Sequence, residues 1–200
     1  MAAVTAASPP RLQRGLPPVL DAATRVLILG SFPGVASLVA RQYYAHPRNH
    51  FWPLLGALLD LPLVDQPYAR RLSALRAHRI GLWDSIVRCA RAGSADSAIR
   101  RAELAEIALA RRRAPQLELV CFNGQKAARA SPLWREAGYV VCVLPSSSPA
   151  YTLPFADKLS AWREAIGEAA RGGRRARRDF EEDAAARRSD AAARYPGRRA

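Results

Sequence analysis

Apolar positions along this chain fall into two alternating kinds of segment. Short, nearly continuous apolar runs occur at Arg25 to Leu29 (RVLIL), Leu117 to Phe122 (LELVCF) and Tyr139 to Leu144 (YVVCVL), with a weaker fourth at Ile80 to Trp83. The first stops at Gly30, the second at Asn123-Gly124, the third at Pro145 and the fourth at Asp84-Ser85. This pattern reads as buried strands, each feeding a loop. Between them lie helical candidates at Phe51 to Leu59, Tyr68 to His78, Arg100 to Arg112, Gln125 to Ala130 and Ala156 to Ala170. Apolar strands alternating with helices predict an α/β protein whose parallel sheet is covered on both faces. Ligands of such sheets bind at the carboxyl ends of the strands. The loops opening at Gly30, Asp84, Asn123 and Pro145 are therefore expected to converge on one site.

Composition sets the limits of this domain. Two hundred residues, 50% of them hydrophobic, suffice for one core. Residues 1–14 are poor in core formers and read as a loose segment, residues 15–170 as the domain. Residues 171–200 are almost entirely Arg, Ala, Gly, Asp and Glu, with Phe180 and Tyr195 the only aromatics, and read as a basic, disordered tail. No run approaches the roughly 18 apolar residues of a membrane span, and the start lacks the pattern of a secretory signal. A cytoplasmic monomer acting at the nucleoid, with no membrane partner, is the expectation. Cys89, Cys121 and Cys142 show no C-x-x-C spacing, which suggests no disulfide framework and no cysteine metal site. They read as small buried apolar residues. Against 17 acidic residues stand 31 basic ones, a formal charge of +14 that favours a polyanionic partner such as nucleic acid. Only Lys126 and Lys158 are lysines, so this charge is carried by arginine.

Three segments carry candidate chemistry. The loop GSFPGVAS, Gly30 to Ser37, follows a strand and is stiffened by Pro33, while Gly30 and Gly34 let a ligand approach the backbone closely around Ser31 and Phe32. It lacks the spacing of a P-loop or a dinucleotide site, and a plain strand-to-helix turn explains it as well. The segment QYYAHPRNHFW, Gln42 to Trp52, packs four aromatics, two histidines, an arginine and an asparagine into eleven residues without apolar periodicity. Tyr43 and Tyr44 offer faces for an unstacked base, and Arg48 offers a fork for a phosphate. Asn49 precedes a helix and reads as its N-cap, and His46 reads as a structural hydrogen-bonding residue. His46 and His50 lack a third metal ligand, and Pro47 breaks the helix that would align them. The third segment, LPSSSPAY, holds Ser146, Ser147 and Ser148 between two prolines, an arrangement suited to gripping phosphate or to an ordinary turn.

Taken in order, GSFPGVAS, QYYAHPRNHFW, GLWDSI (Gly81 to Ile86), FNGQKA (Phe122 to Ala127) and LPSSSPA (Leu144 to Ala150) resemble the uracil-DNA glycosylase superfamily, and within it the hypoxanthine-DNA (DNA-deoxyinosine) glycosylase branch. The resemblance implies a three-layer α/β/α sandwich around a short, mostly parallel sheet, monofunctional cleavage of the base–sugar bond, and no metal or other cofactor. It implies that Asn49 is the catalytic amide and that Asn123 binds the base. In the mismatch-specific relatives the first loop resembles G-x-N-P-G and its third residue acts on the attacking water. Here that place is Phe32, whose ring cannot do so.

DNA carrying a deaminated base would then be the partner. Its damaged nucleotide leaves the stack, Tyr44 or else Phe32 stacks on the base, and Asn123 reads its edge. An amide complements the O6 acceptor and N1–H donor of hypoxanthine, whereas adenine shows the opposite pattern. Uracil shows a similar pair and is the runner-up substrate. Competing readings are a uracil or thymine mismatch glycosylase of the same superfamily, a non-catalytic basic nucleic-acid-binding protein, and an α/β enzyme holding nucleotide phosphates at Gly30. Trp52 and Trp83 read as core, and Asp84, at a strand end, either orients a site residue or, the favoured reading, caps a following helix.

Overall fold

A computed structural model describes residues 12–91 and 99–171, with side chains described as far as residue 166. Most of the expected N-terminal segment and of the expected tail lie outside the described residues. Strand β2 (Val26–Gly30) is central, flanked by β3 (Ile80–Asp84) and β6 (Leu119–Asn123), with β7 (Val140–Leu144) beyond β6. All three pairings are parallel.

The burial of β2 shows why its sequence does not alternate. Val26 and Ile28 join one core with α2 (Phe51–Leu59), α3 (Tyr68–Ala77) and α7 (Phe155–Arg171). Leu27 and Leu29 join a second core with α4 (Ile107–Arg113), α5 (Gln125–Ala128) and α6 (Ser131–Glu136). Successive side chains of a strand point to opposite faces, so two apolar cores require an uninterrupted apolar run. This is the α/β/α sandwich. Trp52 and Trp83 are core residues, one on each side. Cys121 and Cys142 are register partners whose sulfurs lie 3.0 Å apart.

Three features differ from the sequence reading. Arg100 to Arg112 is not one helix: Arg100–Leu104 forms β5 and only Ile107–Arg113 is helical. Helix-favouring Ala, Leu and Glu are overridden by antiparallel pairing of β5 with β4 (Ile86–Ala90). Leu12–Arg14, expected in the loose segment, pairs with the other side of β4 as β1. Asp84 caps no helix, because the chain after it runs into β4. A short helix, α1 (Val35–Ala40), also follows the first loop.

Candidate active site

Register brings the strand ends together. Gly30 pairs with Asp84, Leu29 with Phe122, and Asn123 with Leu144, so four strands finish at one level and their loops open onto one cavity of about 560 Å³. The lining includes every residue expected at the site except Arg48: Gly30 to Gly34, Tyr44, His46, Asn49, Asn123 and Ser146 to Ser148. Arg48 is exposed beside it, in an adjoining groove of about 450 Å³ that shares Asn49 and Pro149 with the cavity.

Asn49 stands on the ridge between cavity and groove, half-buried, just before α2. His50 occupies the N-cap position, yet the Asn49 Oδ1 accepts the Phe51 N–H at 2.9 Å and so satisfies one of the orphan donors of that helix. One oxygen lone pair and both Nδ2 hydrogens are left over from this bond. Asn49 is thus both a helix-terminus residue and a cavity residue. Two bases of support hold it: the backbone N–H of Asn49 donates to the His46 carbonyl, and that of His50 donates to the Ser147 carbonyl, each at 2.9 Å.

The two tyrosines have different fates. Tyr43 belongs to the core: its hydroxyl donates to the Leu16 and Pro17 carbonyls, and its carbonyl accepts the Trp52 indole N–H. It is not a platform for a base. Tyr44 adopts a left-handed backbone, φ 55°, which is rare for a bulky residue and places its ring on the cavity wall. Phe51 stacks on it at 3.6 Å between ring centres and 10° between planes, leaving only the opposite face for a ligand. The Tyr44 hydroxyl is buried and makes no hydrogen bond of good geometry. Burial, and after it the Asp84 carboxylate, push its ionisation far above the usual range, while the neighbouring Asn123 amide pulls it partly back.

Asp84 ends a strand whose loop is expected at this site, although its side chain reads from the sequence as a helix cap. It is a buried residue lining the cavity at the end of β3, and a Cβ on its register partner Gly30 would collide with its carboxylate. Its place at the end of an apolar run, equivalent to that of Gly30 and Asn123, is the sequence signal that marks it. Phe32 lines the cavity but is only 6% exposed, and the buried Arg91 guanidinium lies 4.8 Å from its ring centre. Arg91 also donates to the Pro33 carbonyl, so it supports the first loop from behind. His46 is exposed at the rim, where its Nδ1 accepts the Arg48 N–H.

The serine loop divides likewise. Ser146 and Ser148 are half-buried on the cavity wall, and their hydroxyls accept the backbone N–H two residues ahead. Ser147, expected alongside them to meet phosphate, is fully buried. Its N–H donates to Asn123 Oδ1 and its Oγ accepts from Asn123 Nδ2, both at 2.8 Å. A buried hydroxyl already bonded to protein cannot reach a phosphate, so Ser147 is a brace. Gly124 permits this approach: its φ of 92° suits glycine, and a Cβ there would lie 2.9 Å from that of Ser146. Among the described residues, no three His, Cys, Asp or Glu side chains gather as a metal site requires, and no helix is long and apolar enough to cross a membrane.

A three-layer sandwich with two asparagines, an aromatic wall and a serine loop at its strand ends has the layout of a nucleobase-excising enzyme, and residues 17–169 match the uracil DNA glycosylase superfamily. The chain belongs to that family. Within it, the chain is 41% identical over 154 residues to a hypoxanthine DNA glycosylase of Methanosarcina barkeri, covering 77% of this chain and 98% of that protein. It is 42% identical over 151 residues to a hypoxanthine DNA glycosylase of Methanosarcina acetivorans, covering 76% and 96%. Among solved structures, the solution NMR structure of a candidate uracil DNA glycosylase from Methanosarcina acetivorans matches with a TM-score of 0.73 at 40% identity, covering 80% of this chain and 99% of that one.

Proposed function

We propose that this chain is a monofunctional DNA glycosylase that extrudes a deaminated base, hypoxanthine first and uracil second, and hydrolyses its bond to deoxyribose, leaving an abasic site for excision repair. The observation that carries this reading is the convergence of Asn49, Asn123 and Tyr44 on one cavity at the strand ends. The relatives named hypoxanthine DNA glycosylase support the choice of base.

Asn123 retains one Nδ2–H and one Oδ1 lone pair beyond its bonds to Ser147, and these match the O6 acceptor and N1–H donor of hypoxanthine. Adenine presents the reverse pattern, and mispairing a buried amide costs about 1–3 kcal/mol per group. The free face of Tyr44 stacks on the base, with Phe32 closing the first loop against it. As the glycosidic bond breaks, its electron pair leaves with the base and positive charge grows on the sugar. The remaining Asn49 Oδ1 lone pair orients a water toward the anomeric carbon and its dipole faces that charge. The water oxygen forms the new bond to carbon, its proton passes to solvent, and the base is protonated on departure. An amide is no strong base, so positioning is its contribution and turnover is slow. Arg48, Ser146 and Ser148 meet the DNA backbone around the cavity, His46 orders the Arg48 turn, and a monomer in the cytoplasm suffices for this chemistry without a metal.

The test is incubation with duplexes carrying deoxyinosine, deoxyuridine or no lesion, in EDTA, followed by alkali to cleave abasic sites. Alkali-labile product from the deoxyinosine duplex, exceeding that from deoxyuridine, is expected. Salt-sensitive binding without product from any duplex would leave only a nucleic-acid-binding protein.

A further inference from the structure

Ser147 bonds to both candidate functional segments at once. Its N–H donates to Asn123 Oδ1 at 2.8 Å, its Oγ accepts from Asn123 Nδ2 at 2.8 Å, and its carbonyl accepts the His50 N–H at 2.9 Å, one residue beyond Asn49. The side chain is fully buried, in a loop where the flanking Ser146 and Ser148 reach the cavity wall. A backbone N–H only donates, so the Asn123 atom facing it must be the oxygen, and the amide nitrogen must face the hydroxyl. Turned over, the Asn123 NH2 would oppose the Ser147 N–H, donor against donor. The amide therefore has one orientation before any ligand arrives.

We propose that Ser147 is a positioning residue that locks the polarity of the Asn123 amide and ties it to the start of α2, so that the base-reading and hydrolytic amides are presented at one separation. The proposal rests on the glycosylase reading above for its consequence, though not for the clamp itself. A locked amide offers its spare N–H and lone pair in a fixed order. A free one could turn over to meet a base with the opposite pattern, and selectivity for the deaminated base would weaken.

A double-mutant cycle tests this in the full chain, reading the single-turnover rate of base release from a deoxyinosine duplex at saturating protein. Ser147→Ala is expected to slow release about tenfold, the effect of one lost buried hydrogen bond in the reactive arrangement. In an Asn123→Ala background the same change is expected to alter the rate less than about twofold, because the group it acts through is gone. Affinity for the duplex should stay within about twofold of wild type, since the hydroxyl does not meet the phosphates. Equal losses in both backgrounds would overturn the proposal, because a general scaffolding role is additive. Ser147→Cys, nearly isosteric and a weaker acceptor, provides the same cycle should the alanine variant fold poorly. A second readout needs no activity: the Asn123 side-chain NH2 resonances in a 15N correlation spectrum should be well dispersed and slowly exchanging in wild type, and in Ser147→Ala, which keeps the backbone N–H on Oδ1 but removes the acceptor of Nδ2–H, they should shift and exchange faster. Unmoved resonances would sink the clamp whatever the enzyme does. Moved resonances in a protein that releases no base would instead locate the failure in the glycosylase reading.

Discussion

At Asn49 one oxygen serves two ends, and substitutions can separate them. Alanine removes both the bond to the Phe51 N–H and the amide facing the cavity. Asn49→Ala is expected to lose base release by on the order of 100-fold or more, and also to cost about 0.5–2 kcal/mol in thermal unfolding as a lost helix-terminus bond. Serine keeps an oxygen able to accept the N–H but lacks the reach of an amide. Asn49→Ser should therefore hold wild-type stability with the same loss of rate, and full activity in either variant would remove Asn49 from the chemistry. Tyr44 separates in the opposite sense, ring from hydroxyl. Tyr44→Phe retains stacking on Phe51 and deletes a buried hydroxyl that makes no good hydrogen bond, so its melting temperature should match or exceed wild type. Its base-release rate should stay within about tenfold of wild type, whereas Tyr44→Ala should lose the full stacking contribution of about 1–3 kcal/mol. Because burial and the Asp84 carboxylate raise the ionisation of that hydroxyl, it remains protonated beyond the ordinary tyrosine value of 10.0. The rate–pH profiles of wild type and Tyr44→Phe should accordingly superimpose up to that pH, and an alkaline limb present only in wild type would contradict the assignment.

The strand-to-loop junction is the element that makes the site, and it is also what the sequence displayed most clearly. Continuous apolar runs ending at Gly30 and Asn123 identified the interior strands of the sheet, whereas the run ending at Leu144, expected to be buried as well, forms the edge strand β7 with Val140 and Val143 exposed; the shared ending of the three runs marks the cavity. Elements held by tertiary pairing were less legible. Leu12–Arg14 and Arg100–Leu104 carry no strand pattern of their own and exist as strands because β4 accepts them on either side. Ser147 shows the same limit at the site. Its neighbours are chemically identical serines, and only the three-dimensional approach of the β6 and β7 loops reveals which one is buried. That approach depends on Gly124. A side chain there meets both an unfavourable φ of 92° and the Ser146 Cβ, so Gly124→Ala should destabilise the fold by about 1–2 kcal/mol. It should also part the Asn123–Ser147 pair, lowering the saturating rate of base release while leaving duplex affinity near wild type. A stable variant with normal rate would mean that the two loops do not need their close approach.

Over the whole molecule, short-range geometry and long-range charge make separable demands. The cavity and all the residues assigned to chemistry lie between Gly30 and Ala150, well inside the family match at 17–169. The net charge of +14, by contrast, is spread along the chain, and residues 172–200 hold nine arginines and five acidic residues of it. Counterion release makes each phosphate contact count in affinity, by roughly 0.9 in the slope of log K against log salt, but it carries no information about a base and lowers no barrier. Deleting residues 172–200 should therefore leave the single-turnover rate at saturating protein unchanged. Affinity for undamaged duplex should fall at low salt and its salt slope become shallower, with the two proteins converging as salt screens the remaining contacts. Paired binding isotherms and base-release time courses across a salt series read both quantities on the same duplex. A drop in the saturating rate would place part of the catalytic apparatus in that segment. An unchanged slope would mean that its arginines do not reach DNA and that the folded domain alone supplies the electrostatic grip.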